Sequence, residues 1–258
     1  MCLILFAHGA HPEYPLVIAA NRDEYYQRPT SAASFWKDHP QILAGRDLEG
    51  GGTWLGVTRQ GRFAALTNFR GPAEHKPDAP TRGRLVSDFL LSRSAPREYL
   101  EQVRTKASRY NGFSLLLGDM HGIFYYCSRE AATQMVPAGI YGLSNHLLDT
   151  PWPKVEQGKT HLAHVLKNGV TDDLLLQLLD DRSLAADAAL PDTGVGLERE
   201  RILSAALIVS PQYGTRASTA VMFDRGGNVS FTERTVLPNG IHGESVSYRF
   251  TVGVASAA

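Results

Sequence analysis

The chain opens on an unbroken apolar run, Met1-Cys2-Leu3-Ile4-Leu5-Phe6-Ala7, whose shortness and lack of charge predict a strand buried on both faces. His8-Gly9-Ala10-His11-Pro12 reads as a turn, and Leu16-Val17-Ile18-Ala19-Ala20 as a second apolar run that pairs with the first in a hairpin. That run stops at a polar cluster, Asn21-Arg22-Asp23-Glu24. Residues 27–41, rich in Pro, Ser and Ala, read as a loop. Gly50-Gly51-Gly52 turns into a strand ending at Thr58, and Arg59-Gln60-Gly61 turns that back into a strand over 62–70. The stretch 71–82 carries Pro72, Pro77 and Pro80 and reads as an exposed loop.

Helical spacing follows in Leu85, Val86, Phe89 and Leu90, and a second helix is expected over 96–107 with proline at its start. Residues 113–118 and 123–126 read as strands joined by the hairpin turn Asp119-Met120-His121-Gly122. A strand near 139–144 ends at Ser144-Asn145. A helix opens at Pro151-Trp152-Pro153 and runs to about Lys167, and Thr171 caps another over 174–179. Residues 181–200 are mixed and read as loop, with a short helix over 197–203. The end is β again, at 205–210, 217–223, 229–233 and 245–252. Strands open and close the chain and helices fill its middle, without an internal repeat. Hairpins of this kind predict an α+β fold of antiparallel sheets with helices on their outer faces, as one domain over 1–258.

Composition narrows the classes. The chain has 258 residues, 43% of them hydrophobic, and 26 basic against 26 acidic side chains. That balance argues against nucleic acid or an anionic membrane as the main partner. No apolar stretch reaches the length of a stable membrane insertion. The two cysteines, Cys2 and Cys127, do not make a disulfide framework, so a reducing, cytoplasmic setting is expected. No metal-ligand spacing stands out.

The candidate chemistry starts at Cys2. It follows Met1 directly, so removal of Met1 would leave a thiol and a free α-amino group on one residue. A thiol with an ordinary pKa near 8.5 beside an amine near 7.7–8.0 is a nucleophile with its own base. Polar side chains then recur at the ends of the predicted strands: Asn21-Arg22-Asp23-Glu24, Thr67-Asn68-Phe69-Arg70, Ser144-Asn145 and Gly214-Thr215-Arg216. This set resembles the N-terminal-nucleophile hydrolases of the choloylglycine hydrolase and penicillin V acylase type. The resemblance implies Cys2 as nucleophile, Asp23 orienting its amine, Asn68 and Asn145 binding the oxyanion or the amine, and Arg216 beside the thiol. One departure is plain: those enzymes place an arginine three residues before the aspartate, where this chain has Ala20, with Arg22 instead adjacent to Asp23. On a strand that displaces the guanidinium by roughly 6–7 Å.

A closer resemblance is carried by Met1-Cys2, Asn21-Arg22-Asp23-Glu24, Gly51-Gly52-Thr53-Trp54-Leu55-Gly56, Thr67-Asn68-Phe69-Arg70, Tyr110-Asn111-Gly112-Phe113, Gly142-Leu143-Ser144-Asn145, Asp149-Thr150-Pro151-Trp152-Pro153-Lys154 and Tyr213-Gly214-Thr215-Arg216. In this order they are similar to the NRDE proteins, the transport and Golgi organisation protein 2 family. The resemblance implies a four-layer αββα fold of the N-terminal-nucleophile type and, as activity, haem binding and trafficking. Acyl-coenzyme A or lipid binding, and a C–N (non-peptide amide) hydrolase or acyltransferase using Cys2, are the alternatives. Without a Cys-x-x-Cys-His string any haem would be held noncovalently, for delivery to haemoprotein acceptors, and no catalytic cofactor is expected. Candidate ligand-binding residues are Asn21, Arg22, Glu24, Trp54, Arg70, His8 and His11. His161 and His164 form a further pair at helical spacing, Trp36, Trp54 and Trp152 are candidate cleft walls, and Arg22, Arg70 and Arg216 are candidate phosphate partners.

Overall fold

Residues 2–71 and 76–253 are described by a computed structural model. Strand β1 (Cys2–His8) is buried on both sides, as its apolar run predicts. Leu3, Leu5 and Ala7 pack toward helices, while Ile4 and Phe6 pack toward a second sheet. The strands that follow in chain order are β2 (Leu16–Tyr25), β3 (Thr30–Phe35), β4 (Ile42–Asp47), β5 (Leu55–Thr58), β6 (Phe63–Asn68), β7 (Phe113–Asp119), β8 (Gly122–Cys127), β9 (Ala132–Val136), β10 (Gly139–Leu143), β11 (Tyr213–Phe223), β12 (Asn228–Leu237) and β13 (Ile241–Thr251). The helices are α1 (Gly83–Leu91), α2 (Pro96–Lys106), α3 (Pro153–Asn168), α4 (Asp172–Leu178) and α5 (Leu197–Leu203).

The strands form a six-stranded sheet in the order β10-β1-β2-β11-β12-β13 and a seven-stranded sheet in the order β3 to β9, with every pairing antiparallel. Side-chain alternation gives each sheet two apolar faces. One core lies between the sheets, built on Ile4, Phe6, Ile18, Leu43, Val57, Phe63, Leu116, Val221 and Phe231. A second joins the outer face of the six-stranded sheet to α3 and α4 through Val155, Leu162, Leu175 and Leu176. A third joins the seven-stranded sheet to α1 and α2 through Val86, Phe89, Leu100 and Val103. These are the four layers of an αββα sandwich. α3 sits close on β1 because Gly158 has no side chain: a Cβ there would lie 2.6 Å from Leu5.

Several local expectations change. The stretch 27–41 is not all loop, since β3 runs from Thr30 to Phe35. Its Thr-Ser-Ala-Ala-Ser-Phe sequence is small, polar and mostly exposed because it is an edge strand, which hides the alternation. The half-exposed edge strand β9 is missed for the same reason. Conversely, the apolar run 205–210 is not a strand. Its backbone is held by side chains: Ala206 O accepts from Asn21 Nδ2 at 2.8 Å, and Ile208 N–H donates to Thr215 Oγ1 at 2.9 Å. The second strand does not stop at Ala20 but carries Asn21-Arg22-Asp23-Glu24 inside it. Pro72 and Met1 lie outside the described residues.

One irregularity shapes the site. β2 pairs with β11 in register from Leu16↔Phe223 to Arg22↔Ala217, then skips Arg216 and resumes at Asp23↔Thr215. The extra residue is a β-bulge, and it brings Thr215 rather than Arg216 opposite Asp23.

Candidate functional site

β1 and β2 pair with Cys2 opposite Arg22. Directly opposed residues of an antiparallel pair share a face, here the one toward the second sheet. Arg22 therefore shares the face of the thiol from the neighbouring strand, although it is not at the third position before Asp23. Both side chains line a cleft of about 730 Å³ that opens where the two sheets end. Its walls are Asp23 and Glu24 from β2, Asp47, Trp54, Leu66 and Asn68 from the second sheet, and Thr81 to Arg84 at the start of α1. Gly52 lets the 50–52 loop lie against that helix start, since a Cβ there would sit 2.3 Å from the Gly83 carbonyl carbon.

Arg22 is buried. Its guanidinium stacks over the Trp54 ring at 4.4 Å and lies 3.8 Å from Asp47, and Nη1 has no hydrogen-bond partner among the described residues. Asp47 is itself held by the Gly50 amide at 2.9 Å and Arg28 Nε at 2.8 Å. Burial pushes the Asp47 carboxyl up, but these donors and Arg22 leave it below the usual carboxylate range. Arg28 also meets Glu49 at 2.9 Å. Arg82 donates to Gly112 O at 2.9 Å, and Arg84 lies beside it on the cleft wall. Cation charge thus gathers on the α1 side of the cleft.

Asp23 points the other way, into a closed chamber under α3 and α5. Thr215 Oγ1 donates to Asp23 Oδ1 at 2.7 Å, and the Asp23 backbone N–H bonds the Cys2 sulfur. Burial raises the Cys2 thiol, the Asp23 charge raises it further, and the Asp23 amide and Arg22 oppose them. Burial likewise raises the Asp23 carboxyl against the pull of Lys154, Thr215 and Arg70. Lys154 lies in the first turn of α3 and is buried, and burial pushes its ammonium down to about 8 while Asp23 resists. Arg70 and Glu200 close the chamber as a buried ion pair at 2.6 Å, with Arg70 over the Trp152 ring at 4.5 Å. Perturbed titratable groups gathered at a cleft are the physical signature of a functional site.

The other predicted residues separate into those at the cleft and those away from it. Glu24, Trp54 and Asn68 line it. Asn145 lies behind Asn68, donating to Asn68 O at 2.9 Å and accepting from Arg70 at 3.5 Å, while its neighbour Ser144 donates to Cys2 O at 3.3 Å. Arg70 therefore braces the chamber rather than facing a ligand. Arg216 is the bulge residue, and its Nη1 is engaged by the carbonyls of Tyr25, Tyr26 and Arg28 at 2.8, 3.0 and 3.1 Å, which keeps it off the thiol. Asn21 is buried on the helix side, donating to Leu179 O and Ala206 O and accepting from Ser218 at 2.6 Å. It staples the chain that covers the chamber. His8 is at the far end of β1, about 20 Å from Cys2 by strand rise, and burial lowers its pKa. His11 caps its own turn by accepting from the Glu13 and Tyr14 amides. Trp36 packs on the α1 and α2 side, and His161 and His164 are exposed on α3. Lys154, Thr215 and Glu200 were not singled out as site residues by sequence reasoning. For Lys154 the signal was present: a lysine in a helix's first turn opposes the helix dipole.

Fold and site together define an αββα sandwich with a thiol at the floor of a charged cleft. The chain belongs to the Transport and Golgi organisation 2 family, whose model matches residues 1–238. It is 37% identical over 276 residues to the mouse Transport and Golgi organization 2 homolog, covering 98% of this chain and 99% of that protein. It is 41% identical over 260 residues to the bovine homolog, with 92% and 94% covered. Among solved structures it is similar to a Caenorhabditis elegans N-acylethanolamine-hydrolyzing acid amidase ortholog, with a TM-score of 0.48 and 10% identity over 85% of this chain and 92% of that one. A mutant conjugated bile acid hydrolase from Clostridium perfringens gives a TM-score of 0.49 and 9% identity, covering 100% of both chains. No helix among the described residues is long and apolar enough to cross a membrane.

Proposed function

We propose that this chain transfers or hydrolyses the acyl group of an anionic amide or thioester through the Cys2 thiol. The observation that carries the reading is the Cys2↔Arg22 pairing at the floor of the cleft, with the Asp23 amide on the sulfur. With Met1 removed, the α-amino group accepts the thiol proton and the sulfur attacks the substrate carbonyl carbon. Asn68 at the cleft wall supplies a donor for the oxyanion. Collapse breaks the C–N or C–S bond, the ammonium returns its proton to the leaving group, and the acyl group stays on sulfur as a thioester. Water or an acceptor amine then releases it. Arg28, Arg82 and Arg84 suit an anionic head group such as the phosphates of an acyl-coenzyme A. Intact-mass spectrometry after incubation with palmitoyl-coenzyme A or a p-nitrophenyl ester tests this. An acyl adduct on Cys2, absent from Cys2→Ala, is expected. Retention of Met1, or no adduct with either probe, overturns it.

A second reading, noncovalent haem carriage to haemoprotein acceptors, is favoured by the same rim cations, which suit haem propionates. Among the described residues no histidine lines the cleft, so Cys2 would be the axial donor. A saturable Soret band lost in Cys2→Ala and competed by an acyl-coenzyme A would support it; binding indifferent to Cys2 would count against it.

A further inference from the structure

Lys154 has no place in the reaction just described, yet its position is costly in two ways. It is 4% exposed, and Nζ has no hydrogen-bond partner among the described residues. It also sits second in α3, where the positive end of the helix dipole repels a cation. A buried ammonium is retained only against opposite charge, and an apolar side chain of the same length would avoid both penalties. The groups around it come from every element that closes the chamber. β2 contributes Asp23, β1 contributes Cys2, the chain after β6 contributes Arg70, and α5 contributes Glu200. β11 adds Tyr213, also close to Asp23 and Cys2, and Thr215 on the Asp23 carboxylate. Glu200 is already paired with Arg70 at 2.6 Å and accepts from Thr193. That leaves Asp23 as the carboxylate toward which the Lys154 charge counts most.

We infer that Lys154 is a positioning residue, whose buried ammonium offsets the Asp23 carboxylate charge beside the Cys2 thiol and so eases the loss of the thiol proton. The inference rests on Cys2 being the nucleophile. Asp23 acts on the sulfur in two opposed ways: its amide bonds the thiolate, and its carboxylate repels it. Lys154 offsets the second and leaves the first. Without it, the buried carboxylate stands uncompensated beside the thiolate and opposes its formation. The balance around the sulfur then changes without any change in the cleft wall, because Lys154 does not line the cleft.

The test needs no natural substrate. The rate of Cys2 alkylation by iodoacetamide is followed between pH 6 and 10 by mass spectrometry, with peptide mapping to separate Cys2 from Cys127. Wild type, Lys154→Met and Lys154→Arg are compared, with thermal melting of each. In Lys154→Met the alkylation profile is expected to shift to higher pH and the rate at pH 7.5 to fall by about tenfold, while Lys154→Arg stays within a few-fold of wild type. If Lys154→Met does not fold, Lys154→Gln and the Asp23→Asn/Lys154→Met pair replace it; recovery of the wild-type profile in the double variant supports the inference. A Lys154→Met or Lys154→Gln profile that superimposes on wild type, or shifts to lower pH, overturns it. If wild-type Cys2 is not alkylated at any pH, the thiol reading itself fails, and the inference with it.

Discussion

The buried Arg70–Glu200 pair makes the sharpest stability prediction. Both side chains are 3% exposed and their atoms meet at 2.6 Å, so neither charge can be returned to water when its partner is removed. Among the described residues the Arg70 guanidinium then keeps the Asn145 side chain at 3.5 Å and the Trp152 ring at 4.5 Å. Replacing Glu200 with leucine also strips the acceptor from Thr193, which donates through N at 3.0 Å and Oγ1 at 2.5 Å. Breaking one side of such a pair costs about 3–5 kcal/mol, whereas removing both charges is close to neutral. At roughly 2–4 °C per kcal/mol for a chain of this size, Glu200→Leu should lower Tm by about 6–20 °C. The Arg70→Met/Glu200→Leu double variant should recover more than half of that loss. Urea unfolding gives the coupling energy from the full double-mutant cycle. Because Glu200 anchors α5, limited proteolysis of the single variant should cut first within 181–200. A Glu200→Leu loss below about 1 kcal/mol, or a double variant as unstable as the sum of the singles, would refute the reasoning.

Three further outcomes follow from other sites. Glu233 is buried between the sheets, accepting from Ala33 N at 2.7 Å and Thr219 Oγ1 at 3.3 Å, and burial pushes its carboxyl up to about 7. Its folded pKa lies above the unfolded value near 4.5, so the native state holds the extra proton and stability falls as pH rises from about 4.5 to 7. Glu233→Gln should remove that slope, gaining up to roughly 3 kcal/mol relative to wild type above pH 7, read from urea midpoints across pH. Asn21→Asp would set a carboxylate against the Leu179 and Ala206 carbonyls and should cost at least about 3 kcal/mol, more than Asn21→Ala, in the same assay. Gly52→Ala drives a Cβ to 2.3 Å from Gly83 and should cost about 1–3 kcal/mol in thermal melting, displacing the α1 wall of the cleft.

What could be read from the chain alone follows the physics of each segment. Strand β1 was legible because a strand buried on both faces must be apolar throughout. The hairpins were legible because their turns are punctuated by glycine and proline. The edge strands β3 and β9 were not, since exposure removes the hydrophobic alternation that betrays a strand. The run 205–210 misled in the opposite direction, because burial alone made it apolar while its hydrogen bonds go to the side chains of Asn21 and Thr215 and to single backbone groups of Asp181 and Thr215, with no continuous ladder. In the site, Cys2, Arg22 and Asn68 could be gathered from strand ends. The displacement of Arg22 toward Asp23, measured along one strand, lost its force once the register set it opposite Cys2. Arg216, by contrast, was drawn away by a bulge that no spacing in the sequence announces. Glu200 was hidden in a polar stretch where nothing marks burial.

That bulge also separates two halves of one strand. From Ala217 onward, β11 is locked to the core by its alternation; from Thr215 back, it serves the chamber. Deleting the single residue Arg216 would close the bulge into a regular ladder, leaving Thr215 opposite Asp23 but removing the side chain that clasps the Tyr25, Tyr26 and Arg28 carbonyls. The extra residue therefore ties down the chain beyond β2, whose Glu24 and Arg28 line the cleft, and is not what pairs Thr215 with Asp23. Chains of this architecture that lack the extra residue should keep the hydroxyl on the carboxylate and hold the cleft's Arg28 wall less firmly.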